Sequence, residues 1–199
     1  MGAIGVVSDS KLHVLCVGPS ECGKTHLLHS LYVPKFPRVI SIDINGEVEK
    51  WNPGAIEATS IEDIVAIGLA GAKLGKHRWH INAVLPRREY GALFRLLAPE
   101  FRGKDSPPSF TRAVGGIALE CSEAYAFVPN QGADDDVIEA FARGRHHYLS
   151  FLLASQRPAS LAVITRTQAD VIVTWAQDDP NEIKWLRSSC SVYIGAFPN

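Results

Sequence analysis

The 199-residue chain is 46% hydrophobic and 21% charged, with a mean hydropathy of +0.03, which are globular proportions that fit one domain over residues 1–199. Twenty basic residues against twenty-one acidic ones leave a net charge of −1, which excludes the global basic field of a nucleic-acid coat protein and confines any DNA contact to local clusters. Apolar runs such as Tyr148 to Ala154 fall short of a bilayer span, the start lacks a charged signal region, and four scattered cysteines form no CxxC pair, so a soluble intracellular protein with reduced thiols is expected.

Leu12 to Val17 reads as a buried strand, followed at once by a Gly-rich turn and a helix from Lys24 to Tyr32 that Pro34 stops. Val39 to Ile44 is a second strand. Ser60 then caps a helix whose Ile61, Ile64, Val65 and Gly68 share one face. Trp79 to Leu85 supplies a third strand, and a helix from Arg88 to Leu97 turns Leu93, Phe94 and Leu97 inward. A polar, basic, Pro-rich loop runs from Phe101 to Val114.

Gly116 to Glu120 is a fourth strand, and Asp134 to Leu149 a helix with Val137, Ile138, Phe141 and Tyr148 inward. Phe151 to Ser155 and Val171 to Trp175 are further strands, Asp179-Pro180 opens a helix, and Ser191 to Ala196 is a last strand. Continuous apolar strands alternating with amphipathic helices predict an α/β fold, a mainly parallel sheet with helices on both faces and ligands at the carboxyl ends of its strands. Trp79, Trp175 and Trp185 are expected to pack in the core or at a subunit interface.

Gly18-Pro19-Ser20-Glu21-Cys22-Gly23-Lys24-Thr25 fits GxxxxGK[ST] between a strand and a helix, the context in which a backbone curl turns its N–H groups toward phosphate oxygens. With His26, this stretch is the expected binding site for ATP. Lys24 would neutralise the β and γ phosphates and Thr25 would ligate Mg²⁺. Such a loop also needs acids on a neighbouring strand, and Ile117-Ala-Leu-Glu120-Cys-Ser122-Glu123 is the candidate. His77, His80 and the His146-His147 pair lack the grouped Cys and His spacing of a zinc site.

Ile117 to Pro129 resembles the second acidic motif of the FtsK/HerA superfamily of DNA-pumping ATPases, an apolar strand followed by Asp-Glu-Ala-His, an aromatic and Pro. Glu123 falls on the catalytic Glu of that motif. The usual Asp falls on Ser122, which carries no charge, so the magnesium shell would rest on Thr25 and waters, with Glu120 two positions earlier on the same strand face. Asp43-Ile-Asn-Gly46-Glu47 resembles the superfamily's second-strand Asp-x-x-Gly-Glu, although the same residues also read as a turn and a helix start.

Arg143-Gly-Arg145 through Ser155-Gln156-Arg157-Pro158 resembles its Arg-x-Gly-Arg helix end, strand and Thr-Gln-Arg-Pro. The resemblance covers Leu12 to about Leu186 and implies a RecA-like P-loop NTPase fold. A bare core of this length looks most like the genome-packaging ATPases of tailless, membrane-containing icosahedral viruses, since it leaves no room for the barrel or DNA-guiding domain of larger members.

The resemblance implies ATP hydrolysis coupled to translocation of double-stranded DNA by a ring, expected as a homohexamer. Gln156 would touch the γ-phosphate or the attacking water. Arg145, with Arg143 as the alternative, would be an arginine finger for a neighbouring subunit. A capsid vertex or a membrane protein is the expected partner, with the host cytoplasm as location and retention at a virion vertex. Arg102, Lys104 and Arg112 in the basic loop would hold the DNA backbone, with Arg87 and Arg88 as a weaker second site. Two alternatives stay open: a conjugative, plasmid or phage-assembly motor of the same superfamily, and a nucleotide-binding assembly subunit with weak turnover.

Overall fold

The computed structural model describes residues 11–75, 77–99 and 109–189. Seven parallel strands form one sheet in the order β3-β4-β2-β5-β6-β1-β7. They are β1 (His13–Val17), β2 (Arg38–Ile42), β3 (Ile56–Ala58), β4 (Trp79–Ala83), β5 (Ile117–Cys121), β6 (Leu149–Ser155) and β7 (Val171–Thr174). Every residue of β1, β5 and β6 is buried, as continuous apolar runs in the middle of a parallel sheet require.

Successive side chains leave a strand on opposite faces, so the central strands feed two cores. Leu15, Val17, Leu119, Phe151 and Leu153 enter the larger one. It is closed by α3 (Ile61–Lys73), α4 (Tyr90–Leu97) and α6 (Asp135–Arg143). Ile64, Leu93, Phe94, Leu97, Val137 and Phe141 are buried there as their helical spacing predicted, and Phe141 stacks on Phe151 with ring centroids 3.9 Å apart. Val14, Cys16, Ala118, Leu152 and Ala154 face the other way, under Leu28, Val33 and Phe36.

Several boundaries differ from the sequence reading. The segment after the Gly-rich turn is α1 (Lys24–Leu27), then a π-helical turn over Leu28–Tyr32 and a 3₁₀ turn over Val33–Lys35. Pro34 sits in the first turn of that 3₁₀ piece, where its missing N–H costs nothing. The helix expected to reach Leu149 stops at Arg143 and tightens to a 3₁₀ turn over Gly144–His147. Gly144 lies so close to Phe151 that a Cβ would come within 3.0 Å of its ring. Tyr148, expected inward, is 40% exposed with φ +60°.

β3 has no counterpart in the sequence pattern, because Ile56-Glu-Ala is too short to show a period and lies at the sheet edge. The loop expected from Phe101 to Val114 contains α5 (Phe110–Ala113), capped by Ser109. Two short helices, α2 (Val48–Trp51) and α7 (Val163–Thr167), complete the connections, and α8 (Pro180–Ser189) follows β7. The strand expected over Ser191–Ala196, and the site residues Arg102 and Lys104, lie outside the described residues. Trp185 is buried, Trp79 packs on Gly71, and Trp175 packs on Gly18. No helix among the described residues is long and apolar enough to cross a membrane.

Candidate nucleotide site

The Gly18–Thr25 turn leaves the carboxyl end of β1 between the ends of two neighbours. Gly18 N donates to Ser155 O of β6 at 3.2 Å, and Trp175 N donates to Val17 O at 3.1 Å. A Cβ on Gly18 would meet Cys22 Sγ at 2.8 Å and Trp175 Cβ at 3.0 Å, so the close curl of the loop demands glycine there. Gly23 has φ +96° and opens α1 by accepting at its carbonyl from Leu27 N, 2.9 Å away. Pro19, Ser20, Glu21 and His26 are exposed, while Cys22, Gly23 and Thr25 are half-buried.

Lys24 is 6% exposed and folds over its own loop, with Nζ donating to Pro19 O and lying 3.7 Å from Cys22 Sγ. An ammonium this buried, whose hydrogen-bond partners among the described residues are a carbonyl and a thiol, favours an anion beside it.

β6 lies between β1 and β5 in the sheet. That insertion sets Gln156, one residue past β6, beside Glu123, two residues past β5, and Gln156 Nε2 donates to Glu123 Oε1 at 3.4 Å. The other carboxylate oxygen, Glu123 Oε2, is buried and has no hydrogen-bond partner among the described residues. Burial raises the pKa of Glu123 above the usual carboxylate value and nearby Glu47 adds to this, while the Gln156 bond and the charge of Lys24 oppose it. A carboxylate with one oxygen held and the other free is suited to accept a proton from a bound water.

Thr25, Asp43, Glu47, Glu120, Ser122 and Glu123 line one open cleft at this edge of the sheet. Ser122 Oγ donates to Glu120 Oε1 at 2.8 Å, so the uncharged residue is coupled to the acid two positions before it. Glu120 is 1% exposed and burial pushes its pKa up to about 7. Asp43 shapes the floor of the cleft: its Oδ1 accepts from Glu47 N at 2.9 Å, and its Oδ2 from Val48 N and Asn82 Nδ2, both at 3.2 Å. Both readings of Asp43-x-x-Gly46-Glu47 therefore meet, because the turn that starts α2 also presents Glu47 to the cleft.

His29 was not singled out in the sequence. It lies four residues after Thr25 on the same helical face, lines the cleft, and sets Nε2 3.6 Å from Glu120 Oε1. Its Nδ1 accepts from Asn52 Nδ2 at 2.7 Å, and burial lowers its pKa to about 4, so the pair is a neutral imidazole beside a carboxyl group and not an ion pair. Trp51, stacked on His29, closes the same wall.

Arg145 lies elsewhere. It precedes β6, seven residues of strand away from Gln156, and its Nη2 donates to Asp170 Oδ1 at 2.7 Å and to Gln168 O at 2.8 Å. Seven strand residues span roughly 23 Å, so the fold holds Arg145 at the opposite rim from the phosphate loop of its own chain. Arg143 is paired with Glu139 on α6. Arg112, on α5, is exposed at the same rim, whereas Arg87 and Arg88 are exposed beyond the carboxyl end of β4.

No protein-family model matches the sequence, and no curated protein matches it. Solved structures do. The genome packaging NTPase B204 of Sulfolobus turreted icosahedral virus 2, in complex with AMPPCP, is 23% identical with a TM-score of 0.67 over 91% of this chain and 83% of that one. B204 of Sulfolobus turreted icosahedral virus, a DNA-packaging ATPase, is 21% identical with a TM-score of 0.65 over 92% and 84%. The cytoplasmic domain of the type VII secretion ATPase EccC from Thermomonospora curvata is 19% identical with a TM-score of 0.50, over 88% of this chain and 21% of that one. The chain has the α/β fold of a P-loop NTPase, in agreement with the fold that the FtsK/HerA-type motifs implied.

Proposed function

We propose that the chain is an ATPase that translocates double-stranded DNA as a homohexameric ring and packages a viral genome into a preformed capsid. The observation that carries this reading is the convergence of Lys24, Gln156 and Glu123, with one oxygen of Glu123 free, at the carboxyl ends of three adjacent strands. The shared fold with the B204 packaging NTPases and the order of the FtsK/HerA-type motifs support it.

The triphosphate of ATP binds over the Gly18–Thr25 backbone, and Lys24 leaves the Pro19 carbonyl for the β and γ phosphates. Glu123 Oε2 takes a proton from water as its oxygen bonds to the γ-phosphorus, and the bond to the β–γ bridging oxygen breaks to leave ADP. Gln156, bonded to Glu123, orients that water and registers whether the γ-phosphate is present.

The oxygen-rich lining, four carboxylates with two hydroxyls, fits magnesium. Thr25 would hold it with Glu120 and Ser122, and bound there it neutralises charge on the phosphates. Arg145, held away from its own phosphate loop, serves the nucleotide of the next subunit, an effect worth ~10³ to 10⁵ in rate. Arg112, with Arg102 and Lys104, contacts the DNA backbone, and a capsid vertex or membrane protein anchors the ring in the host cytoplasm.

A second reading has a specific observation in its favour. Ser122 spends its hydroxyl on a Glu120 that burial biases toward the neutral form, as expected of a nucleotide-gated assembly subunit with weak turnover. The experiment that separates the two is ATP-driven displacement of a third strand annealed to a duplex. Displacement with ATP, and none with a non-hydrolysable analogue, is expected of the motor; none in either case, with the ring intact, contradicts it.

A further inference from the structure

The amino-terminal rim of the sheet, opposite the nucleotide site, carries a row of cations. Arg78 stands just before β4, Arg38 opens β2, Arg112 lies five residues before β5, and Lys11 stands two residues before β1. In the sheet these strands run β4-β2-β5-β6-β1, and at ~4.8 Å per strand the row spans roughly 19 Å. The fourth position of the row, before β6, is held by Tyr148.

None of the four cations pairs with a carboxylate among the described residues. Arg38 Nη1 donates to Gly115 O at 2.8 Å and Arg78 Nη2 to Pro34 O at 2.7 Å, which fixes both guanidinium groups by carbonyls and leaves their charge uncompensated. Lys11 Nζ and the Arg112 guanidinium lie 4.6 Å and 5.5 Å from the centroid of the Tyr148 ring. The nearby acids are already engaged, Asp170 by Arg145 and Glu139 by Arg143. In a chain of net charge −1 such a row is a local concentration of positive charge, and not a share of a general excess.

Tyr148 adds a second sign. Its φ of +60° is a conformation that bulky side chains rarely adopt, and no glycine or asparagine stands there. The strained backbone turns the chain from the 3₁₀ segment into β6 while its carbonyl still accepts from Ile117 N at 3.1 Å. The ring is left 40% exposed, with two cations ordered on it before any ligand arrives.

We propose that this rim, with Lys11, Arg38, Arg78 and Arg112 set beside Tyr148, binds the phosphodiester backbone of double-stranded DNA. Phosphates repeat along a backbone as a line of single charges, and a line of cations held by carbonyls and an aromatic ring matches it without reading sequence. A second copy of this chain offers a poorer match. At its opposite edge Glu120 is buried and Asp43 already accepts from main-chain donors, so neither can face this row. The proposal rests on the DNA-motor reading and adds Lys11, Arg38, Arg78 and Tyr148 to Arg112, the one member of the basic-loop set that lies within the described residues, whereas Arg87 and Arg88 lie at the opposite edge.

The test is fluorescence anisotropy of a short labelled duplex across a salt series, with the full chain. Lys11→Gln with Arg112→Gln is compared with the charge-keeping pair Lys11→Arg with Arg112→Lys, and thermal melting checks that each folds. The neutral pair is expected to bind about tenfold more weakly or worse, with a salt slope shallower by ~0.9 for each phosphate that is no longer neutralised; the charge-keeping pair should bind as the wild type does. Tyr148→Leu should weaken binding while keeping the slope, since it removes order and not charge. Equal affinity and slope in the neutral pair, against a wild type that binds duplex, would remove the rim and leave the motor reading standing. A wild type that binds no duplex would remove both. Weaker binding that accompanies a smaller assembly in sedimentation velocity would make the rim a contact between copies, and overturn the proposal.

Discussion

Gln156 Nε2 donates to Glu123 Oε1 at 3.4 Å across the ends of two adjacent strands, leaving Glu123 Oε2 buried and, among the described residues, unpartnered. The bond exists because β6 is inserted between the strand that carries the phosphate loop and the strand that carries the acids. If Glu123 is the base, Glu123→Gln should lower kcat by a factor of ~10² to 10⁴ while nucleotide affinity holds within a few-fold. Gln156→Leu should lower kcat less. Equilibrium binding of a fluorescent ATP analogue, beside steady-state turnover, separates these effects, and an unchanged kcat in Glu123→Gln would remove the residue from catalysis.

The turn over Gly18–Thr25, between a buried strand and a helix, was legible in the sequence, because its two glycines punctuate it, and Gly18 and Gly23 stand where a Cβ or an ordinary φ would not fit. Glu123 and Gln156 were legible as types of residue at strand ends. Their bond was not, because strand order decides which ends are neighbours and nothing local in Ile117–Glu123 or Phe151–Gln156 encodes it. His29 and Asn52 were missed for a related reason. They meet 23 residues apart, and a lone histidine in a helix reads as packing until the buried carboxyl of Glu120 is seen beside it. The helix end at Arg143 is not visible in the apolar spacing, which continues through Tyr148, and the close approach of Gly144 to Phe151, open only to a residue without a Cβ, is a tertiary contact that local spacing does not encode.

The pairing of Arg145 with Asp170 places the guanidinium at the rim away from its own phosphate loop, so a role in hydrolysis would have to cross a subunit boundary. Arg145→Ala and Glu123→Gln proteins, each inactive alone, should regain activity when mixed, since some interfaces then carry an intact Glu123 and an intact Arg145. Turnover against mixing ratio is the measurement. A flat line with assembly intact would contradict a role in trans.

His13 is buried at the start of β1, where its Nδ1 accepts from Phe151 N at 3.1 Å and burial lowers its pKa from 6.5 to about 4. A histidine with a lowered folded-state pKa contributes stability that is present above the unfolded value of 6.5 and lost as pH falls through about 4. The wild type should lose stability over that window, of order 3 kcal/mol from this residue. His13→Asn, which keeps an acceptor for Phe151 N, should show a shallower loss. Denaturant unfolding at a series of pH values checks this, and parallel curves for the two proteins would contradict it.

Phe141 on α6 stacks against Phe151 on β6, with both rings at 2% exposure or less. Phe141→Ala should destabilise the fold by ~3 to 5 kcal/mol through reduced burial and an unfilled cavity. Phe141→Leu should cost less than half of that. Urea unfolding with a common slope is the measurement, and a loss below about 1 kcal/mol would mean that the helix repacks freely over the sheet.

Steady-state ATP hydrolysis with and without double-stranded DNA, across a salt series and with Lys24→Ala as the blank, tests the central claim most directly. The account predicts turnover above the blank that duplex DNA stimulates and that salt suppresses. Turnover equal to the blank, or turnover indifferent to duplex at every salt concentration, would contradict a DNA motor.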